Sequence, residues 1–407
     1  MKRVVIIGGG ASGLVTAINA KTKNNEVIIL EQNSECGKKI LATGNGKCNY
    51  FNENQNLNNY NSTNKEDIKK FITDENLSKT ISFFDSLALV PKIKAGYFYP
   101  ASEQASSIRN ILVNKVKELG IEIKYNFKVE NIVLENDKFI ISSDSQKIIS
   151  DIVVLATGSY AAVKNKKEVV GYDILKSFDL RLEKVLPSLV QLKSSGNFLK
   201  LWNGVRCDVN LKLYEDNIKI KEESGQIQLT DYGISGICTF NISGCVAKGL
   251  ATNKQEVVVI DFLPNIDKDI NNFINFLEER NNLLNNPKLP ILFEGVLNSK
   301  LIAAILKYSN ISSNKTFLDL TDKEKNILVK NIKEFRLKIT GTNNYDKAQT
   351  CSGGLSLDEV NLKTMEVKKV KNLYVVGELL DIDGLCGGYN LTIAWISSIL
   401  AGSDIHD

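Results

Sequence analysis

Histidine is almost absent from this 407-residue sequence, and the one present, His406, is next to last. No serine–histidine or cysteine–histidine couple can operate unless that tail folds inward. Acid–base work falls to Tyr, Lys, Cys, Asp, Glu or a bound cofactor. Cysteine is sparse and unpatterned: Cys36, Cys48, Cys207, Cys238, Cys245, Cys351 and Cys386 are odd in number and contain no CxxC pair. Reduced thiols and a cytoplasmic setting are the simplest account, and a zinc site is not expected. No apolar run reaches the about 18 residues of a membrane span. Charge of one sign is lacking too, with 51 basic against 47 acidic residues and a net +4. Neither nucleic acid nor a membrane is therefore expected as a main partner. Met1-Lys2-Arg3 imitates the start of an export signal, but three glycines interrupt the apolar stretch behind it and no small-residue cleavage site follows.

What is there is an ordinary globular composition, 43% apolar and 24% charged. At this length, two or three domains are expected.

The N-terminus carries the clearest motif. Val4 to Ile7 is a short apolar run, as in a buried parallel strand. Gly8-x-Gly10-x-x-Gly13 follows at once. The first glycine permits a tight turn, the second lets the backbone approach a pyrophosphate, and the third lets the next helix pack on the strand. That helix, from Ala11 and Ser12 to about Lys23, aims its N-terminal amides and dipole at the phosphates. A second strand, Glu26 to Leu30, delivers Glu31 and then Gln32. Glu31 lies 18 residues after Gly13, close to the roughly 20 expected of a ribose-binding acid. Its carboxylate would accept ribose hydroxyls and repel a 2′-phosphate.

Strands and helices alternate through the first half. Helices are expected over Lys65–Thr73 and Leu77–Leu87, then one capped by Ser102 and ending at Gly120. Strands are expected over Glu122–Tyr125, Val129–Glu135 and Lys138–Ser143, with Asn136-Asp137 as a turn. Ile152–Leu155 then runs into Ala156-Thr157-Gly158. Around Val185-Leu186-Pro187 the character changes to short β segments, separated by turns at Asp216-Asn217 and Gly225, with one helix from Gly236 to Ala247. Asn265 to Lys333 reads as helical, and Phe335–Thr340 as a returning strand.

Two further segments carry chemistry. Cys36 to Asn49 contains Lys39, Thr43, Gly44, Asn45, Gly46, Lys47, Cys48 and Asn49. Its glycines would allow close approach to a ligand, and its lysines could neutralise a pyrophosphate. A surface loop with Asn45-Gly46 as a simple turn fits equally well. Near the C-terminus, Leu373 to Val376 runs into Gly377-Glu378, then Asp383-Gly384 and Gly387-Gly388-Tyr389-Asn390. This reads as a strand ending where a flavin's ribityl chain and ring would lie, so the chain must return to its first domain.

These motifs together resemble the HI0933-like family of flavoproteins. The resemblance rests on Gly37-Lys38-Lys39-Ile40-Leu41 through Cys48-Asn49, Tyr97 to Ser102, Ala156-Thr157-Gly158, Leu229 to Gly236, Ser352-Gly353-Gly354 and the ending Gly377-Glu378 to Asn390. Lys47 stands where the family has arginine, Asp231 where it commonly has histidine, and Cys386 where threonine is usual. The resemblance implies an α/β fold, a Rossmann-like FAD-binding domain of glutathione-reductase type with an inserted β-barrel-like domain and a small helical domain. By position, the flavin domain would comprise 1–186 and 349–407, the β-rich insertion 187–264 with 334–348, and the helical insertion 265–333. Glu31 would hold the adenosine ribose, the backbone near Val129 the adenine, and Gly8 to Gly13 the pyrophosphate. Asp383 would hold the ribityl or pyrophosphate end, and Gly387 to Asn390 would line the isoalloxazine. Tyr389 would stack on or bond near the ring, or else simply pack at a strand end.

The expected activity is that of an FAD-dependent oxidoreductase with non-covalent FAD, a small-molecule substrate in an inter-domain cleft, and NAD(P)H as a possible transient reductant. A flavoprotein acting on tRNA and a non-catalytic flavin sensor are the alternatives. No second GxGxxG follows a strand, so no dedicated nicotinamide domain is visible. Cys48 is expected near the flavin, where Lys47 and loop amides could lower its pKa, with a structural role favoured over a catalytic one.

Overall fold

The computed structural model describes residues 1–266 and 269–406; residues 267 and 268 of the expected helical stretch lie outside them. The chain divides into two compact units, one of Met1–Leu186 with Thr350–Asp407 and the other of Pro187–Gln349.

The first unit is built on a five-stranded parallel sheet. Its order is Leu373–Val375, Ile152–Leu155, Lys2–Ile7, Asn25–Leu30, Glu122–Lys124. Val4 lies opposite Ile152 on one side and Val27 on the other. Val4–Ile7 and Ile152–Leu155 are buried throughout, as unbroken apolar runs must be when both faces of a parallel sheet are covered. One cover is the helix Ala11–Ala20, which ends three residues before the expected Lys23. Against it lies the helix Tyr389–His406, apolar on nearly every side and so buried along most of its length. The approach of these helices is close: a Cβ on Gly402 would stand 2.4 Å from Asn19 Cβ. The C-terminal strand and helix thus return to the N-terminal one.

Several local expectations change. The helix after Ser102 spans Ala105–Glu118, and its N-cap is Gln104, without a side-chain cap. Ser102 Oγ instead contacts Ser107 Oγ at 2.7 Å. The segment from Cys36 to Asn49 is not a simple surface loop: it holds a short helix, Lys38–Ala42, and leads into a paired strand, Phe51–Asn52. The expected pair of strands around Asn136-Asp137 has a third beside it, so that Asn131–Glu135, Lys138–Ser142 and Lys147–Ser150 form one antiparallel sheet. Asn136 and Asp137 make its turn at φ 49° and 59°.

The second unit is a closed six-stranded barrel, in the order Leu192–Ser194, Gly233–Ser235, Ile218–Thr230, Arg206–Glu215, Glu256–Asp261, Phe335–Thr342. Alternation fixes which side chains face inward: Phe335, Leu337 and Ile339 are buried, and Arg336, Lys338 and Thr340 are exposed. Gly225 is not a turn. It lies inside the long strand opposite Val209, and a Cβ there would stand 3.0 Å from Cys238 Sγ of the helix Ile237–Ala251. Glycine is needed there so that the helix can approach the strand. The helices Ile270–Leu283, Ser299–Tyr308 and Asp322–Lys333 share one core with the barrel, where Phe198, Trp202, Phe262 and Phe335 meet.

Candidate functional site

The first strand, its turn and its helix build a cradle, and each glycine has a distinct steric reason. Gly8 has φ +105°, and a Cβ on it would lie 2.4 Å from Ala156 O. A Cβ on Gly13 would lie 1.8 Å from Gly8 O. Gly10 is different: among the described residues nothing lies within 4 Å of its would-be Cβ. It caps the helix without a side-chain bond, so no cap side chain takes up the first-turn amides. Gly9, which the spacing did not single out, is equally constrained, because its Cβ would meet Cys36 Sγ at 2.4 Å.

Glu31 is buried and already busy. Its Oε2 accepts the Gly9 N–H at 2.7 Å, and its Oε1 accepts Asn33 N–H at 2.8 Å and Asn33 Nδ2 at 2.6 Å. A carboxylate has about four acceptor positions, so about one remains, on Oε2. That is the capacity a ribose hydroxyl needs. Phe127 N–H bonds Glu31 O, which brings Val129 close behind on the same segment, where it is buried. Gln32 is exposed.

The N-terminal glycine motif and the C-terminal Gly377-Glu378 turn meet at Ser12. Gly377 has φ +69°, and its Cβ would stand 2.2 Å from Ser12 Oγ. Its N–H is fixed by Ser397 Oγ at 2.9 Å. Glu378 next to it accepts Ser159 Oγ at 2.9 Å and Lys39 Nζ at 3.5 Å. Thr157 and Gly158 (φ +72°) lead into Ser159, and Gly158 lies between Lys39 and Glu378.

The lysine-bearing segment is held down by a residue that sequence reasoning missed. Arg109 donates to Cys36 O at 2.9 Å and pairs with Glu35 at 2.8 Å, lying across Gly37. Gly44, Asn45, Gly46 and Cys48 all have positive φ. Thr43 Oγ1 turns back onto Ile40 O at 2.6 Å. Lys47 reaches Glu103 at 3.4 Å, away from the cradle. Cys48 corrects an expectation: it is 0% exposed, and burial pushes its thiol up to about 11. Lys47 and the loop amides do not activate it.

The C-terminal turn packs on this segment. A Cβ on Gly388 (φ +93°) would stand 3.0 Å from Asn49 Oδ1, a buried oxygen with no hydrogen-bond partner among the described residues. Asn52 Nδ2 donates to Gly387 O at 2.9 Å. Asn390 spends both edges of its amide on Gly384, accepting its N–H and donating to its carbonyl, each at 2.9 Å. Asp383 Oδ2 accepts Asn61 Nδ2 at 3.4 Å. Tyr389 is not at a strand end but opens the last helix, with its ring edge-on to Tyr60 and its hydroxyl accepting Asn59 Nδ2 at 3.0 Å. Burial raises its pKa to about 12, so it keeps its proton.

An open dinucleotide cradle, a ribose acid with spare capacity and a returning glycine-rich turn define a flavin-binding α/β protein. The sequence matches the HI0933-like protein Rossmann domain over residues 2–404, and the chain belongs to that family. It is 36% identical to the 3-dehydro-bile acid delta(4,6)-reductase of Clostridium scindens, over 99% of this chain and 98% of that protein. It is 24% identical to the ribosomal RNA dihydrouridine synthase of Escherichia coli, over 98% and 97%. The fold is shared with a 3-ketosteroid delta1-dehydrogenase from Sterolibacterium denitrificans, at a TM-score of 0.51, 9% identity and full coverage of both chains. A 3-ketosteroid-delta4-(5alpha)-dehydrogenase from Rhodococcus jostii gives 0.50 at 14% identity, over 100% of this chain and 97% of that one. The protein is an FAD-dependent oxidoreductase.

Proposed function

We propose that this protein reduces a carbon–carbon double bond conjugated to a carbonyl in a flat, steroid-like small molecule. The full-length 36% identity to a bile acid reductase carries this reading. Gly8 to Gly13 would admit the pyrophosphate, Glu31 the adenosine ribose, and the turn Gly387–Gly388 the ring edge. FAD held there and reduced by NAD(P)H or another two-electron donor would supply a hydride for the substrate's β carbon. The α carbon takes a proton, so the double bond becomes single and the carbonyl is kept. Negative charge gathers on the carbonyl oxygen in between, and a fixed donor there lowers the barrier. Tyr389 suits that role, because Asn59 occupies an acceptor position on its oxygen and leaves its own proton to donate. Cys48, buried and protonated, has only a packing role.

The test is anaerobic. Holoprotein reduced with dithionite should be reoxidised by a 3-oxo-4-ene bile acid, with saturated product recovered. Reduced flavin that survives that acceptor but is reoxidised by ribosomal RNA would replace this reading with base reduction. The 24% full-length identity to a dihydrouridine synthase is what makes RNA the reading to exclude.

A further inference from the structure

The hairpin Pro91–Lys94 and Tyr97–Pro100 is largely open to solvent, with Pro100 alone buried and Lys92, Phe98 and Tyr99 half-buried. Ile93 lies opposite Phe98, whose ring packs edge-on to Tyr50 and Phe51. Lys94 lies opposite Tyr97 and Lys92 opposite Tyr99. Directly paired residues share a face, so these four side chains form one surface. Its two-residue turn, Ala95-Gly96, has φ 49° and 82°, which fixes the register.

One end of that surface reaches the glycine turn. A Cβ on Gly387 would stand 3.0 Å from Tyr97 Cε1 and 3.1 Å from Tyr389 Cε2. The strand beside the tyrosines is basic. Glu103 receives Lys92 at 2.6 Å, Lys94 at 2.7 Å and Lys47 at 3.4 Å. Hydrogen bonds from Lys92 and Lys94 hold its carboxyl down at about 2, so one carboxylate faces three ammonium groups. The lysine side chains are 42%, 51% and 52% exposed, and such pairs exchange partners at little cost. Tyrosine beside the lysines offers a flat apolar body with a polar tip.

We propose that this face is the substrate's second subsite: Tyr97 and Tyr99 receive a flat ring system, and Lys92 and Lys94 receive a carboxylate at its far end. This rests on the reductase reading above and adds to it that the substrate is an acid. One repeat along the strand, about 6.7 Å, separates Tyr97 from Tyr99, so a ring system laid along them runs beside Lys94 and Lys92.

The probes are a 3-oxo-4-ene bile acid and its neutral methyl ester, titrated into holoprotein with the flavin absorbance as readout. The acid should bind roughly three- to tenfold tighter than the ester at low salt, and the gap should shrink as salt rises. Lys92→Met with Lys94→Met should bring the acid to the level of the ester, and Glu103→Gln should strengthen the acid alone. Equal binding of acid and ester to the unaltered protein would overturn the subsite while leaving the reductase reading intact. Silence of the flavin toward both probes would overturn the reductase reading and this inference with it. If the double variant lost a uridine-containing ribosomal RNA fragment and kept the acid, the lysines would serve RNA and the subsite would be wrong.

Discussion

Gly10 and Gly13 are three residues apart and should fail in different ways. A Cβ on Gly13 strikes backbone at 1.8 Å, whereas one on Gly10 enters open space. Gly13→Ala should therefore damage the fold, and Gly10→Val should spare it while excluding the pyrophosphate. Thermal unfolding of the two apoproteins, set beside their flavin content, checks this; normal flavin in Gly10→Val would refute the cradle. Glu31→Gln keeps the shape but puts an amide N–H toward donors that the carboxylate now accepts. FAD should bind about tenfold or more weakly, the scale of one lost bond to a charged group. Cys48 should resist iodoacetamide at pH 8 in the folded protein, because its thiol is 0% exposed and titrates at about 11. Peptide mapping that finds Cys48 alkylated as fast as in urea would contradict its burial.

Elements were legible where a residue's own pattern decides its state. The strand–glycine–helix–strand–acid order at the N-terminus needs only local periodicity, and it stands as read from Val4 to Glu31. The errors arise where a distant partner decides. Gly225 looks like a turn because glycine so often is one, yet a helix lying on the strand explains it. Ser102 has the composition of a cap, but the helix begins at Ala105 and leaves it outside. The site divides the same way: the glycines and Glu31 were visible, while Arg109 was not, since its role is to lie across Gly37. Gly402 carries the same lesson inside a helix. Its substitution by leucine should unfold the first unit more easily, by about 1–3 kcal/mol or more, because no room exists beside Asn19. A denaturant midpoint unchanged in Gly402→Leu would mean that the two helices can separate at no cost.

At the scale of the whole molecule, one buried carboxyl makes stability depend on pH in the direction opposite to most acids. Glu256 is 1% exposed at the end of the barrel, set against the carboxyl of Glu215. Burial first, and then Glu215 beside it and Asp216, raise its pKa to about 7, against a smaller pull from Lys254. Lys254 is itself paired with Glu215. Since the folded pKa lies above the unfolded one, the folded state holds a proton that the unfolded chain releases. The stabilising difference is whole below about pH 4.5, declines as pH rises, and is gone once pH passes about 7. A shift of this size corresponds to roughly 3 kcal/mol, or about 5–10 °C in the melting temperature of a unit this large. Glu256→Gln cannot ionise, so the variant should melt higher than the unaltered protein at pH 8 and nearly level with it at pH 5. Calorimetry at both values decides the matter, and a variant no more stable at pH 8 than the unaltered protein would mean that Glu256 ionises there without strain.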